Sequence, residues 1–201
     1  GTGTRWHIGI PLILAENRCF FNEQQYPFGY APSVRILGID PGLATIGLGL
    51  VDAPTRDTPR CIEWLTIETA AGLPLHYRLL EIERDMDEYL DHAKPDLAVV
   101  EKLFFAKNET TAIDVAHARG VLLACVAKRG IPLLCPSPPE MKAGITGDGS
   151  ADKAQIQTML VHVFSLTEIP RPDDAADALA LALFGALAGM PQTETLPGET
   201  R

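Results

Sequence analysis

The chain has 201 residues, of which 46% are hydrophobic and 21% are charged, as in a globular domain with a substantial core. This composition excludes a wholly disordered chain, and the 17 glycines and 16 prolines follow no collagen-like period. No apolar run approaches the roughly 20 residues of a membrane-spanning helix, so we expect no membrane partner.

Charge and cysteine content narrow the class of protein further. The formal net charge of −9 argues against a generally basic nucleic-acid binder, although residues 102–153 hold seven basic and five acidic side chains. The four cysteines are scattered and form no C-x-x-C pair. They are more typical of reduced thiols in a cytoplasmic protein than of a disulfide framework or a zinc site.

Composition divides the chain into three regions. Residues 1–33 are rich in Asn, Gln, Pro and Gly in their second half and predict an irregular N-terminal extension. Residues 34–189 predict the folded domain. Residues 190–201 are polar, contain two prolines and predict a disordered tail.

The folded region begins with three predicted strands and then alternates helices with short strands. Val34–Asp40 ends at the turn sequence Asp40-Pro41-Gly42, and the strands Thr45–Asp52 and Cys61–Glu68 complete an antiparallel meander. The elements that follow are a helix over 74–92, a strand Leu97–Glu101, a helix over 109–128, a strand Ile131–Leu134, and helices over 151–164 and 174–188. This order predicts an α/β fold in which helices flank a mixed sheet.

Two predicted strands end in a carboxylate, Asp40 and Glu101, and strand ends are where ligands bind in open α/β sheets. Taken singly, Asp40 could merely open a turn and Glu101 could merely mark a strand leaving the core. A third acidic cluster, Asp173-Asp174-Ala175-Ala176-Asp177, opens the last helix. Its spacing places Asp174 and Asp177 on one face.

Helix capping explains part of that cluster, because Asp173 or Asp174 could serve as the N-cap. It does not explain Asp177, which lies among alanine and leucine residues and is expected to be buried. Carboxylates that are buried together repel one another and are tolerated chiefly when a cation neutralises them. Acidic ligands without His or Cys favour Mg²⁺ or Mn²⁺, which indicates two-metal phosphodiester chemistry.

Four separated blocks resemble the RuvC family of Holliday-junction resolvases from about residue 34 to 187: ILGIDPGLATIGLGLVD, VVEKLFFAKNETTAIDVAHARG, GITGDGSADKAQIQ and DDAADALALAL. The family consists of homodimeric endonucleases with an RNase H-like fold. The resemblance implies four catalytic, metal-binding acids, namely Asp40, Glu101, Asp174 and Asp177. Asp173 is the competing candidate for the third position, where some family members have a histidine.

The resemblance also implies how the protein acts. It predicts paired symmetric nicks across a Holliday junction that leave 5′-phosphate and 3′-hydroxyl ends, in recombination and DNA repair. Two Mg²⁺ or Mn²⁺ ions per active site, a homodimer and the RuvAB branch-migration complex as a partner belong to the same expectation.

DNA contacts are expected beside the acids. The resemblance assigns base stacking at the crossover to Phe104, and it matches Lys107, Lys142 and Lys153 to basic positions that contact phosphates. Without it, Phe104 could equally belong to the core, and the lysines could be ordinary surface residues.

The helix over 109–128 carries small and apolar residues along one face, among them Ala116 and Gly120. Small residues allow close helix approach and so suit a two-fold dimer interface, although a plain buried helix explains the pattern nearly as well.

Three other functional hypotheses compete with that of a junction endonuclease. An actin/Hsp70-like ATPase also has a Gly-x-Asp-x-Gly strand, but it needs a second subdomain. A proofreading exonuclease would place D-x-E on its first strand, where this chain has Asp40-Pro41-Gly42. A DNA-binding descendant that has lost catalysis is disfavoured because all four acid positions are occupied.

Overall fold

A computed structural model describes residues 33–54, 58–102 and 109–190, without the side chains of residues 109–111. Apart from residues 33 and 190, the N-terminal extension over 1–33 and the tail over 190–201 lie outside these ranges, so both stay predictions. Within the described ranges, no helix has the length and apolar character to cross a membrane.

The strands form one mixed sheet. They are β1 (Val34–Asp40), β2 (Thr45–Ala53), β3 (Arg60–Glu68), β4 (Leu97–Val100) and β5 (Leu133–Leu134). Their order in the sheet is β3-β2-β1-β4-β5. The β1–β2 and β2–β3 pairs are antiparallel, whereas the β1–β4 and β4–β5 pairs are parallel. The predicted meander and the mixed five-stranded sheet are confirmed.

Helices cover both faces of this sheet, as predicted. They are α1 (Leu75–Ala93), α2 (Glu109–Lys128), α3 (Pro138–Thr146), α4 (Lys153–Phe164) and α5 (Asp173–Ala188). One core cluster joins one sheet face to α3, α4 and α5, and the other joins the opposite face to α1 and α2. Because strand residues alternate between faces, each strand contributes to both clusters.

The helix α3 is absent from the sequence prediction, which placed no helix between the strand Ile131–Leu134 and the helix over 151–164. Ser137 caps α3, and its backbone N–H donates to Glu140 Oε2 at 2.7 Å in a capping box. Gly144 lies inside the helix, and Gly147, with φ of 80°, ends it. The sequence Ser-Pro-Pro-Glu carries this signal, since Ser-x-x-Glu with proline in the first turn is typical of a helix start.

Glycines on β1 and β2 let α5 lie directly on the sheet. A Cβ atom added to Gly38 would lie 1.9 Å from the carbonyl oxygen of Ala178 and 2.5 Å from the amide nitrogen of Ala182. A Cβ atom at Gly49 would lie 2.5 Å from the Cα atom of Leu179. The sheet and helix backbones are therefore in contact along this line, which no residue with a side chain would allow.

We expect Gly38→Ala to destabilise the fold by at least about 3 kcal/mol, because the added methyl group meets rigid backbone. Gly144→Ala is the matched control, since its methyl group would meet the half-buried ring of Phe184 at 2.6 Å, and a side chain can move aside. Chemical denaturation of the two variants measures the difference. Equal losses of unfolding free energy would show that α5 does not depend on backbone contact at Gly38.

Candidate active site

Asp40 and Glu101 lie side by side at one edge of the sheet. In the parallel pair β1–β4, Ile39 is the register partner of Val100, and the two carboxylates come one residue later on each strand. Strand alternation places Asp40 on the face of Gly38, which contacts α5, and Glu101 on the face of Val99, which packs against α5.

The start of α5 brings further acids to the same edge. Gly47 is the cross-strand partner of Asp40, and a Cβ atom added to Gly47 would lie 2.0 Å from the backbone carbonyl oxygen of Asp174. The first turn of α5 therefore rests on the strand next to Asp40. Asp177 lies three residues after Asp174, about one turn further along the same helix and on the same face.

Two expectations about this cluster are wrong. Neither Asp173 nor Asp174 caps α5, because Pro172 is the N-cap and no side chain makes a capping hydrogen bond there. Asp173 instead pairs with Arg171, at 2.8 Å between Nη1 and Oδ1. Asp177 is not buried either, since 45% of its side chain is exposed. It lies at the rim of the helix, where it faces the sheet edge rather than the core.

The carboxylates interact strongly enough to change their protonation. The pKa of Asp40 is raised from 3.8 to about 7, first by burial and then by the negative charges of Asp177, Asp174 and Glu101, while Lys153 opposes the shift. Burial and Asp177 also raise the pKa of Glu101, whereas Lys142 opposes this shift. Residues from three separated segments thus share one electrostatic environment, as expected of a cation-binding pocket.

Two of the predicted DNA-contacting lysines lie among these acids. Lys153, in the first turn of α4, places Nζ 3.0 Å from Asp177 Oδ2 and 3.3 Å from Asp173 Oδ2. Lys142, on α3, is close enough to Glu101 to lower its pKa. The other two predicted DNA-contacting residues, Phe104 and Lys107, lie outside the described residues, so their roles stay predictions.

The donor set is suited to hard divalent cations. All four predicted ligands are carboxylates, and the ammonium of Lys153 already holds a positive charge against one of them. In the described part of the chain, no three acidic, His or Cys side chains converge closely enough to enclose an ion in their present rotamers.

A further residue, Arg119 on α2, contacts the site through the main chain. Its Nε donates to the carbonyl oxygen of Glu101 at 3.0 Å. No motif in the sequence marks Arg119, because an arginine on a surface helix is ordinarily interpreted as a solvated residue.

In metal-free buffer, we expect Asp40→Asn to be more stable than the wild-type protein at pH 8. The pKa of Asp40 is raised, so the folded state binds a proton that the unfolded state has lost, and wild-type stability falls as pH rises from about 4 to about 7. Asparagine removes this loss, and the expected gain in Tm at pH 8 is on the order of 5 °C.

Thermal melts of both proteins in EDTA from pH 4 to pH 8 test this expectation. The difference in Tm should grow with pH through that window. A difference that stays constant would mean that Asp40 is not held among competing carboxylates.

Comparisons with known proteins agree with this geometry. The family model described as crossover junction endodeoxyribonuclease RuvC matches residues 36–184. A protein of that name from Gloeobacter violaceus is 44% identical over 158 residues, covering 79% of this chain and 91% of its own. Another from Brevibacillus brevis is 45% identical over 153 residues, covering 76% of this chain and 92% of its own.

A solved structure gives the same result. It is described as Thermus thermophilus RuvC in complex with Holliday junction substrate, and it superposes with a TM-score of 0.73 and 31% identity. The superposition covers 77% of this chain and 94% of that one, which confirms the predicted RNase H-like fold. The chain belongs to the RuvC family of crossover junction endodeoxyribonucleases, and is a nuclease by that membership.

Proposed function

We propose that this protein resolves Holliday junctions by cutting phosphodiester bonds at the acidic edge of the sheet. The observation that carries the proposal is the joint environment of Asp40, Glu101, Asp174 and Asp177, whose negative charges raise the pKa of Asp40. The relatives are named for crossover-junction cleavage, and one related structure is described as holding a Holliday junction. Cleavage would occur as paired, symmetric nicks that leave 5′-phosphate and 3′-hydroxyl ends.

Two Mg²⁺ or Mn²⁺ ions are the proposed cofactors. When bound, they would supply an activated water and stabilise the leaving oxygen of the DNA strand. Asp40 and Glu101 hold the strand side of the pocket, and Asp174 and Asp177 hold the helix side. The negative charge of Asp174 raises the pKa of Asp40, which supports Asp174 as the third ligand. Asp173 is the weaker candidate, because its carboxylate is paired with both Arg171 and Lys153.

The basic residues around the acids have two proposed tasks. Lys153 balances Asp177 before ions and DNA arrive, and then turns to a phosphate beside the scissile bond. Lys142, near Glu101, contacts a neighbouring phosphate. Phe104 and Lys107 follow Glu101 in the chain, and we propose that Phe104 stacks on an unpaired base at the crossover while Lys107 binds the backbone.

A homodimer would place two such sites on the two-fold symmetric strands of a junction. The support for it is α2, whose inner face packs on the sheet through Leu122 and Val126 while its outer face remains exposed. Ile113 is 56% exposed there, and a Cβ atom at Gly120 would meet nothing within 4 Å. Among the described residues nothing covers this face of α2, and a second copy would cover it.

The proposed cellular setting rests on membership of the RuvC family. We propose action in the cytoplasm, in homologous recombination and DNA repair, together with the RuvAB branch-migration complex. The support for a reducing compartment is the sequence, in which the four cysteines are scattered and form no C-x-x-C pair.

We expect Asp40→Asn to reduce cleavage of a synthetic four-way junction to background while junction binding persists. The substitution keeps the side chain's size but removes a charged metal ligand. Cleavage with Mg²⁺ or Mn²⁺ and gel-shift binding with Ca²⁺ give the two readouts. The matched control is Asp52→Asn, on β2 opposite Arg35 and so at the far end of the sheet, and it should cut normally.

The other functions give different results in the same assays. ATP hydrolysis by a wild-type protein that leaves junctions intact would favour the ATPase. Binding without cutting by the wild-type protein would favour a DNA-binding descendant. Loss of binding in Asp40→Asn would make Asp40 a structural residue.

We expect Ala124→Arg to convert the dimer to a monomer at micromolar concentration and to abolish coordinated nicking of both strands. Ala124 is exposed on the outer face of α2, so the substitution introduces charge into the proposed interface without disturbing the protomer core. Analytical ultracentrifugation measures the mass, and a supercoiled cruciform plasmid separates single from paired nicks. His92→Arg is the control, because His92 is exposed near the end of α1 and lies outside the proposed interface. A monomeric wild-type protein that still nicks both strands together would contradict the proposed dimer.

A further inference from the structure

Arg119 links three elements at the acidic edge from the opposite side of the sheet. It lies on α2, which packs on the face away from α5. Its Nε donates to the carbonyl oxygen of Glu101 at 3.0 Å, and its Nη2 lies 3.5 Å from Cys135 Sγ, just after β5. One half-buried guanidinium thus joins α2, the end of β4 and the segment that leaves β5.

Glu101 needs such a contact because regular pairing ends immediately before it. The residues of β4 are held by register pairs up to Val100, which is opposite Ile39. After Glu101, the amide of Lys102 donates to the carbonyl oxygen of Pro136 at 2.9 Å. The carbonyl group of Glu101 lies between these two anchors, and Arg119 is the partner that fixes it.

We propose that Arg119 is a positioning residue, which orients the carboxylate of Glu101 by holding its main chain. This inference rests on the proposed function, in which Glu101 is a ligand for a divalent ion. Residues that orient a metal ligand through a hydrogen bond commonly change metal affinity about 10-fold to 100-fold when they are replaced.

The contact acts through geometry rather than through charge on the carboxylate. The pKa of Glu101 responds to burial, to Asp177 and to Lys142, whereas Arg119 touches the backbone oxygen. A planar guanidinium presents donors in fixed directions, so it can engage the oxygen of Glu101 and the sulfur of Cys135 together. A lysine offers one mobile ammonium group and cannot hold both in the same way.

The test compares Arg119→Met and Arg119→Lys with Arg129→Met. Arg129 comes directly after the last residue of α2 and is also half-buried. Its Nη2 donates to the carbonyl oxygen of Asp87 at 2.9 Å and pairs with Asp91 Oδ1 at 2.7 Å. It joins α1 to α2 and makes none of its hydrogen bonds to the acidic edge. Both methionine variants therefore remove an arginine–carbonyl contact, but only one of these contacts involves Glu101.

The primary readout is Mn²⁺ binding to metal-free protein, measured from the EPR signal of free Mn²⁺, with Tm in EDTA as the measure of folding. We expect Arg119→Met to raise the Kd for Mn²⁺ about 10-fold and Arg119→Lys to raise it by a smaller factor. Junction cleavage by these variants should recover at higher Mn²⁺ concentration. Arg129→Met should lower Tm and leave both the Kd and the Mn²⁺ dependence of cleavage unchanged.

Several outcomes would overturn the proposal. A wild-type Kd in Arg119→Met would do so, as would an equal rise in Kd in Arg129→Met, which would indicate a general loss of stability. If Arg119→Met does not fold, an unchanged Kd in Arg119→Lys would have the same consequence. A wild-type protein that neither binds Mn²⁺ nor cuts junctions would instead refute the proposed function on which the inference rests.

Discussion

The acidic edge depends on backbone contact between α5 and the first two strands. Side chains normally hold a helix backbone away from a sheet, and here glycines on β1 and β2 remove that separation. This close approach matters most at Gly47. Its cross-strand partner on β1 is Asp40, and the backbone of Asp174 on α5 contacts it from the face of the sheet. A single small residue therefore determines how closely the acids of the helix approach the acid of the strand. The alanine-rich first half of α5 serves the same end, since small residues let the helix settle along its length.

This closeness has an electrostatic cost that the metal-free protein reduces in two ways. Asp40 has a pKa near 7, so near neutral pH a substantial fraction of the molecules carries it uncharged. Lys153 balances Asp177 and Asp173 from the side of α4. Both arrangements are reversible, and both place positive charge or a proton where divalent ions are proposed to bind. Ion binding would release the proton and free Lys153 for DNA, so the acids need not remain unneutralised at any stage. The net charge of −9 is compatible with a DNA-binding surface on these terms, because part of the acid excess lies where cations are expected.

The sequence predicted the sheet and the proximity of the acids, for physical reasons that are local. Alternation and turn residues define β1 to β3. Asp40 and Glu101 each end a short apolar run whose length and β-branched residues favour a strand. Other features depend on contacts that are distant in sequence. Pro172 replaces an aspartate as the N-cap of α5, which frees Asp173 to pair with Arg171. The burial of Asp177 was overestimated because its apolar neighbours face the core while it lies at the rim. The omission of α3 differs, since its capping box, Ser137 to Glu140, was readable in the sequence.

The two faces of the sheet therefore contribute different properties to one edge. The face covered by α5 supplies close approach and hence negative charge, and it includes Lys142 and Lys153 on α3 and α4. The face covered by α1 and α2 supplies rigidity, through the Arg119 contact to Glu101 and the ion pairs that Arg129 makes between the helices. Because α2 also presents the exposed surface proposed for the second protomer, dimer contact and ligand orientation would be carried by the same helix. In two copies joined through α2, this helix would set the distance between the two sites and, through Arg119, would also position each Glu101. Such a coupling suits an enzyme that must cut two strands together.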